Sequence, residues 1–452
     1  MSFNNLAKIL FFAFFLPGTY LSAQTITQVL DASGDGEGNI LLSPQSLAVD
    51  SLGNVFVGGL GDTFFKVTAN GTVSKFWARS DPGNDGSLLA NFSLATDDDG
   101  NIYVAATDSN NAIRIAPNGS YTELLNEDGD NTGDNFFTYA ASVAVTADGT
   151  VFVTGLLSHN VYSIATDGSI TRVLDFSGDG TGDNFFLNAR IVAIDTAGNA
   201  YVTGQGTHNA FKVASDGTIT ELINESGDGS GNLLNTPTGI AVDVLGNVYV
   251  AGAFSNNVFK ISTDSVITQI IDGSGDGEGN ALLTPIDITV DAKSNVYVAG
   301  LDSVNAFRIT SAGAITQIIG SNGDGDNGLV SPQRIRVDSW DNVYVLGTFS
   351  SNLLKISQSA ASYDAGVLSI PVLAVGNPYY QLDLIISNEA PIEFQVEAAT
   401  VIPNPNLVST ATFAGDTLTI PQLVFGDLRY RLDLKLTSEN PITLQLTVAQ
   451  EL

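Results

Sequence analysis

Asp, Ser, Glu and Asn recur at alternate positions in a loop pattern that runs through most of the chain. In the frame D/N-x-S-x-D-G-x-x-N/D, one clean copy holds Asp31, Ser33, Asp35, Glu37 and Asn39, and another Asp272, Ser274, Asp276, Glu278 and Asn280. Two more hold Asp175, Ser177, Asp179, Thr181 and Asp183, and Asn224, Ser226, Asp228, Ser230 and Asn232. A related copy starts at Asn126, and degraded ones lie at 81–85 and 320–324. Alternating oxygen ligands with a glycine for the turn are what a compact Ca²⁺ loop uses, because the side chains and one carbonyl converge on a hard cation. The bidentate acid that completes such a loop is missing, and Leu42, Phe186 and Leu283 stand in its place. Two readings stay open: a turn scaffold whose carboxylates cap backbone amides, or a weak Ca²⁺ site with Kd on the order of 10⁻⁴–10⁻³ M. A phosphate cradle is excluded, since no helix follows the glycines and the carboxylates would repel it.

Other reactive residue types are sparse. His159 and His208 occupy the same place in successive repeats (SHNVYSI and THNAFKV), where other copies carry Asn110, Asn256, Val304 or Ser351. No acid or third ligand stands beside them at matching spacing, so they read as loop residues. The neighbouring Asn111, Asn160, Asn209, Asn257, Asn305 and Asn352 read as turn holders before a strand. Arg190, Arg334 and Arg336 flank innermost strands, where they pair with carboxylates or face a central channel and hold an anion. Cys is absent, which removes thiol nucleophiles, disulfides and thiolate metal sites.

The elements that must position these residues come from an internal repeat. A short Val/Tyr/Phe strand recurs from Val55-Phe56-Val57 through Val248-Tyr249-Val250 to Val343-Tyr344-Val345, seven times at intervals of 47 to 49 residues. Each unit reads as four strands, shown by GIAVD at 239–243, NVYVA at 247–251, NVFKIS at 257–262 and VITQII at 266–271. D-x-x-G-N and D-G-S/T turns join them as hairpins. Four strands per unit describe a β-propeller blade, whose apolar faces need neighbouring blades to cover them. The seventh unit lacks its fourth strand, and a near copy of that strand, Ile26-Thr27-Gln28-Val29-Leu30, stands at the other end. The fold class expected is therefore all-β: a seven-bladed propeller over 24–361, closed by the N-terminal strand. Closure places the acidic loops on one face as a negative ring.

The stretch Gly273-Ser274-Gly275-Asp276-Gly277 through Leu282-Leu283-Thr284-Pro285, with Asp291–Val298 and Asn305–Ile309 after it, resembles the NHL-repeat family of propellers. The resemblance covers roughly residues 26–361. It implies the propeller architecture and is silent on function, since such propellers include binding modules and some lyases.

Residues 1–23 read as a secretory signal peptide: Lys8, an apolar run from Ile9 to Leu16, a Pro17-Gly18 break and a small-residue cleavage site at Ala23. The run is too short to span a bilayer, which takes roughly 20 residues. A periplasmic or extracellular location follows, with no transmembrane segment after cleavage. Residues 358–366 read as a linker, and 362–452 as a small β-sandwich-like domain of about six strands. Its duplication runs from Leu368-Ser369-Ile370-Pro371 to Leu418-Thr419-Ile420-Pro421. The formal charge of −31 argues against nucleic acid and anionic membranes as partners.

These observations give an exported monomer without a catalytic centre, a binding or scaffolding propeller. Its acidic face would meet a partner protein, a polysaccharide, a small-molecule ligand or a cation such as Ca²⁺. The competing reading is a metal-dependent lyase or hydrolase with its site at the channel mouth.

Overall fold

The computed structural model describes residues 24–451, except 61–62, 81–90, 131–135, 183, 340, 359–360, 365–366, 375–378, 390–391, 403–410, 415, 426–427 and 440–441. The expected signal peptide therefore lies outside the described residues. Two compact units are present, one over 26–356 and one containing 357–452.

The first unit is a β-propeller of seven four-stranded antiparallel sheets. Blade five shows the pattern: Pro237–Val242, Val248–Gly252, Asn257–Ile261 and Ile267–Ile271, from the axis outward. Val248–Gly252 is buried at every position, as is the second strand of each blade, because neighbouring blades pack on both of its faces. The cores accordingly lie between blades. Tyr201, Ala210 and Ile223 of blade four pack with Leu234, Ile240, Val250 and Phe259 of the next.

The ring closes as the permuted repeat requires. Gln24–Leu30 pairs with Asn352–Gln358 as the outer strand of blade seven. Leu30 is buried with Tyr344, Leu346 and Leu353 of that blade and Leu41 and Leu47 of blade one. Asn352 Nδ2 donates to Gln28 Oε1 at 3.2 Å. The pairing removes an open strand edge.

The D-x-x-G-N turns are tied more tightly than turn chemistry alone demands. Asp243 Oδ1 accepts the N–H of Leu245 and of Asn247, while Oδ2 accepts Asn247 Nδ2 and the Tyr249 hydroxyl at 2.9 Å. The same Asp–Asn–Tyr network recurs at Asp97, Asp195, Asp291 and Asp338. Burial, then the Asp97 carboxylate, pushes the Tyr103 phenol up to about 12.

The carboxyl-terminal unit has eight strands in one sheet, not about six. Each half contributes a short strand and three long ones: Ala361–Asp364, Val367–Ala374, Tyr379–Glu389 and Ile392–Ile402, then Ala411–Ala414, Thr417–Phe425, Leu428–Glu439 and Ile442–Glu451. The halves join at Phe394↔Leu444, and parallel pairings Ala361↔Leu423 and Leu373↔Ala411 bring the sheet back onto itself. The short strands lie in segments with no alternating apolar pattern, so 358–366 reads as linker in sequence. Among the described residues, no helix is long and apolar enough to cross a membrane.

Candidate functional site

The innermost strands of the seven blades line a central channel with a cavity of about 340 Å³. They are Pro44–Val49, Asn91–Thr96, Ala140–Val145, Ala189–Ile194, Pro237–Val242, Pro285–Val290 and Pro332–Val337. The fifth residue of these strands is Ala48, Ala95, Ala144, Ala193 and Ala241 in the first five, small enough for the strands to converge. The third is Ser46, Ser93 and Ser142 in the first three. Ser93 Oγ and Ser142 Oγ accept the N–H of Val143 and Val192 on the next inner strand, both at 3.3 Å, so this position ties blade to blade.

The last two blades break that pattern with charge. Blade six has Asp287 at the third position and Thr289 at the fifth; blade seven has Arg334 and Arg336. Asp287 is 3% exposed, and its Oδ2 accepts Ile335 N at 3.0 Å and Arg336 Nη1 at 2.6 Å. Arg334 is 6% exposed and donates from Nη1 to Gln333 O at 2.8 Å. Arg190, second residue of the blade-four inner strand, donates to Gln205 Oε1 at 3.3 Å. Arg190 and Arg334 share a smaller cavity of about 70 Å³ with Tyr139, Ala141, Leu156 and Ile191. Burial lowers Arg334 to about 10; Asp287 opposes that, while Arg336 and Arg190 add to it. Arg334 and Arg336 thus reach the channel, where Arg336 pairs with Asp287, and Arg190 reaches the smaller cavity that Arg334 also lines. Sequence reading missed Asp287, which matches no local motif and shows only as a departure from Ser at its register position.

The acidic loops form Asx turns. Asp31 Oδ1 accepts Ser33 N at 2.7 Å, and Asp272 does the same for Ser274 N at 2.8 Å. Asp35, Asp228 and Asp276 each accept the N–H two residues on, Glu37, Ser230 and Glu278, and the amide of Asn39, Asn232 and Asn280 at 2.7 Å. Asp175 accepts Ser177 N and pairs with Arg172 at 3.2 Å. Asp179 accepts Thr181 N and takes its amide from Asn184, five residues on, because this loop is one residue longer. Asp183 lies outside the described residues. The Asn232 amide, then Ser230 N–H, hold Asp228 below the usual carboxylate range. A Cβ at Gly275, where φ is +68°, would stand 1.7 Å from Asn280 O, so this turn admits only glycine. No group of three or more His, Asp or Glu that could hold a metal ion occurs among the described residues. The apolar pairs divide: Leu41, Phe186 and Leu282 are buried, whereas Leu42, Phe185 and Leu283 face solvent, as alternation in an extended segment dictates.

The histidines staple blades together. His159 Nδ1 accepts Asn188 N, and His208 Nδ1 accepts Thr236 N, both at 3.0 Å. Asn110 and Asn256 make the equivalent bond to Tyr139 N and Thr284 N. The recurring strand-leading asparagines reach farther than their own turns, as Asn257 Nδ2 donates to Leu233 O at 3.0 Å in the incoming loop.

A larger depression, about 870 Å³, lies between blades two and three at the opposite turn face. Three of its carboxylates are engaged locally, Asp97 by Asn101 and Tyr103, Asp148 by Thr150 N and Asp167 by Ser169 N. The smaller channel cavity, where blades six and seven set Asp287, Arg334 and Arg336 against the repeat pattern, is the better site.

No family model matches the chain, and no curated protein does. Among solved structures, a streptogramin B lyase is similar at TM-score 0.57 and 14% identity, over 74% of this chain and 97% of that one. Virginiamycin B lyase from Staphylococcus aureus gives TM-score 0.57 and 15% identity, over 74% and 99%. Hydrazine synthase from Kuenenia stuttgartiensis gives 0.53 and 15%, over 76% and 99%. At these identities the likeness shows the propeller fold and does not single out the NHL-repeat family. The matches correct the expectation of a chain without a catalytic centre. Propellers of this architecture include lyases, and lack of a local His/acid/nucleophile motif does not argue against catalysis where the site is gathered from strands far apart in sequence.

Proposed function

We propose that the chain is an exported enzyme of the lyase or hydrolase type, periplasmic or extracellular, acting on a small molecule at the mouth of the propeller channel. One observation carries the reading: among the described residues, charge enters a mostly Ala-, Val- and Ile-lined channel and its side cavity at Arg190, Asp287, Arg334 and Arg336, which the repeat does not require. Buried, preorganised guanidiniums stabilise negative charge that develops on a substrate oxygen, the largest single contribution to many such reactions. Asp287 holds and aligns Arg336, and Tyr139, a residue of the same small cavity as Arg190 and Arg334, would exchange a proton with a bound ligand. One carboxylate among three guanidiniums is a poor cradle for a divalent cation, so no step runs through a metal here. Mass-spectrometric screening of small-molecule esters, lactones and depsipeptides tests the reading. Turnover that falls at least 100-fold in Arg336→Ala and Tyr139→Phe supports it, and turnover indifferent to both refutes it.

Ca²⁺ would associate weakly with the inter-blade loops, whose sequence frame carries Asp31, Asp35 and Glu37 in one copy and Asp272, Asp276 and Glu278 in another. Calorimetric titration reads this directly: saturable heat lost in Asp276→Asn supports it, and no heat refutes it.

A further inference from the structure

Among the described residues that line the channel, Asp287 is the one carboxylate; Arg336 engages it, and Arg190 and Arg334 line the smaller cavity alongside. The Arg190 Nε is buried and meets no acceptor among the described residues. A buried guanidinium N–H without an acceptor costs roughly 1–3 kcal/mol, more where the group is charged. Nothing in the repeat demands that cost, because Ala141 and Thr238 hold the position of Arg190 in the adjoining blades.

We propose that Arg190 and Arg334 bind the carboxylate of a small organic anion, whose apolar body lies in the channel against residues such as Ala144, Ala193 and Ile240. This inference rests on the channel mouth being the site and names its substrate class. The two arginines line one cavity of about 70 Å³, which suits a small anionic head rather than a whole ligand. The adjoining 340 Å³, walled mostly by Ala, Val, Ile and Leu, is at the small end of ligand sites and takes a compact apolar group. The planar fork of a guanidinium matches the two oxygens of a carboxylate, and Tyr139 lines the same cavity.

Isothermal titration of residues 24–452 with benzoate and with its uncharged isostere benzamide tests the assignment. Saturable benzoate binding at one site is expected, with benzamide at least ten-fold weaker. Arg190→Gln should weaken benzoate ten-fold or more without lowering the melting temperature, while Arg190→Lys, which keeps the charge but not the fork, loses less than Arg190→Gln. Equal binding of the two ligands, no benzoate heat, or preference for inorganic phosphate over benzoate in the parent protein would overturn it, whether or not the variants fold. Benzoate binding without turnover of any substrate refutes the enzyme reading alone. Turnover of neutral substrates unaffected by Arg190→Gln refutes the carboxylate assignment alone.

Discussion

Asp287 and Arg336 together replace a Ser and an Ala found at the same places in the first three inner strands, so the pair can be reversed in one step. Asp287→Ser keeps an acceptor for Ile335 N, as Ser93 provides for Val143 N, but leaves the Arg336 guanidinium without its carboxylate. Breaking a buried pair costs about 3–5 kcal/mol; with Arg336 at 29% exposure the lower end, about 3 kcal/mol, applies. Arg336→Ala leaves the nearly buried Asp287 carboxylate with Ile335 N and the field of Arg334, at about 2 kcal/mol. The double variant restores the Ser/Ala arrangement, removes both charges and should cost no more than about 1–2 kcal/mol, against about 5 if the changes were independent. Urea unfolding followed by near-ultraviolet circular dichroism measures all three. A double variant that loses the sum of the single losses, within about 0.5 kcal/mol, would show that the pair is not coupled.

The histidine staples should tolerate asparagine. His159→Asn, which copies the residue at Asn110 and Asn256, should unfold within about 0.5 kcal/mol of the parent, and His159→Ala should lose about 1 kcal/mol with the Asn188 hydrogen bond. A loss of turnover in His159→Asn with folding intact would instead give this residue chemistry. The buried tyrosines predict an alkaline limit. The Tyr103 and Tyr162 phenols are both raised to about 12, chiefly by burial, so the stability they contribute is complete below pH 10 and is lost as pH rises through 12. Spectrophotometric titration should show a tyrosine class that ionises only as the fold is lost, and uniform ionisation near pH 10 in the folded protein would contradict the burial. Deleting residues 24–30 exposes the edge of Asn352–Gln358 and uncovers Leu346 and Leu353, so the product should aggregate or lose cooperative unfolding. A truncated chain that melts like the parent would contradict closure by this strand.

Much of the fold was legible because each blade repeats the same punctuation. The Val/Tyr/Phe strand repeat, the Asp-x-x-Gly-Asn turn and the displaced Ile26–Leu30 strand fix blade count and closure without any long-range information. Arg190, Arg334 and Arg336 were visible as strand-flanking cations, yet their common destination was not. They come from blades four and seven, and only the ring brings them near Asp287. Asp287 itself hid inside an ordinary-looking strand, PIDITV, where the one clue was a charged residue at a register position held by Ser in the early blades. The loop carboxylates misled in the opposite direction, since their spacing suits both a cation and an Asx turn and the backbone donors are always present. In the carboxyl-terminal unit the 50-residue duplication was readable, whereas the short strands Ala361–Asp364 and Ala411–Ala414 carry too few alternating residues to stand out.

A crystal structure of the mature chain grown with benzoate examines the channel most directly. The account predicts one benzoate on the propeller axis, its carboxylate oxygens about 3 Å from the guanidinium nitrogens of Arg190 and Arg334, with Asp287 still engaged by Arg336. Benzoate found only on the outer surface, or the two arginines turned away from a shared space, would contradict it.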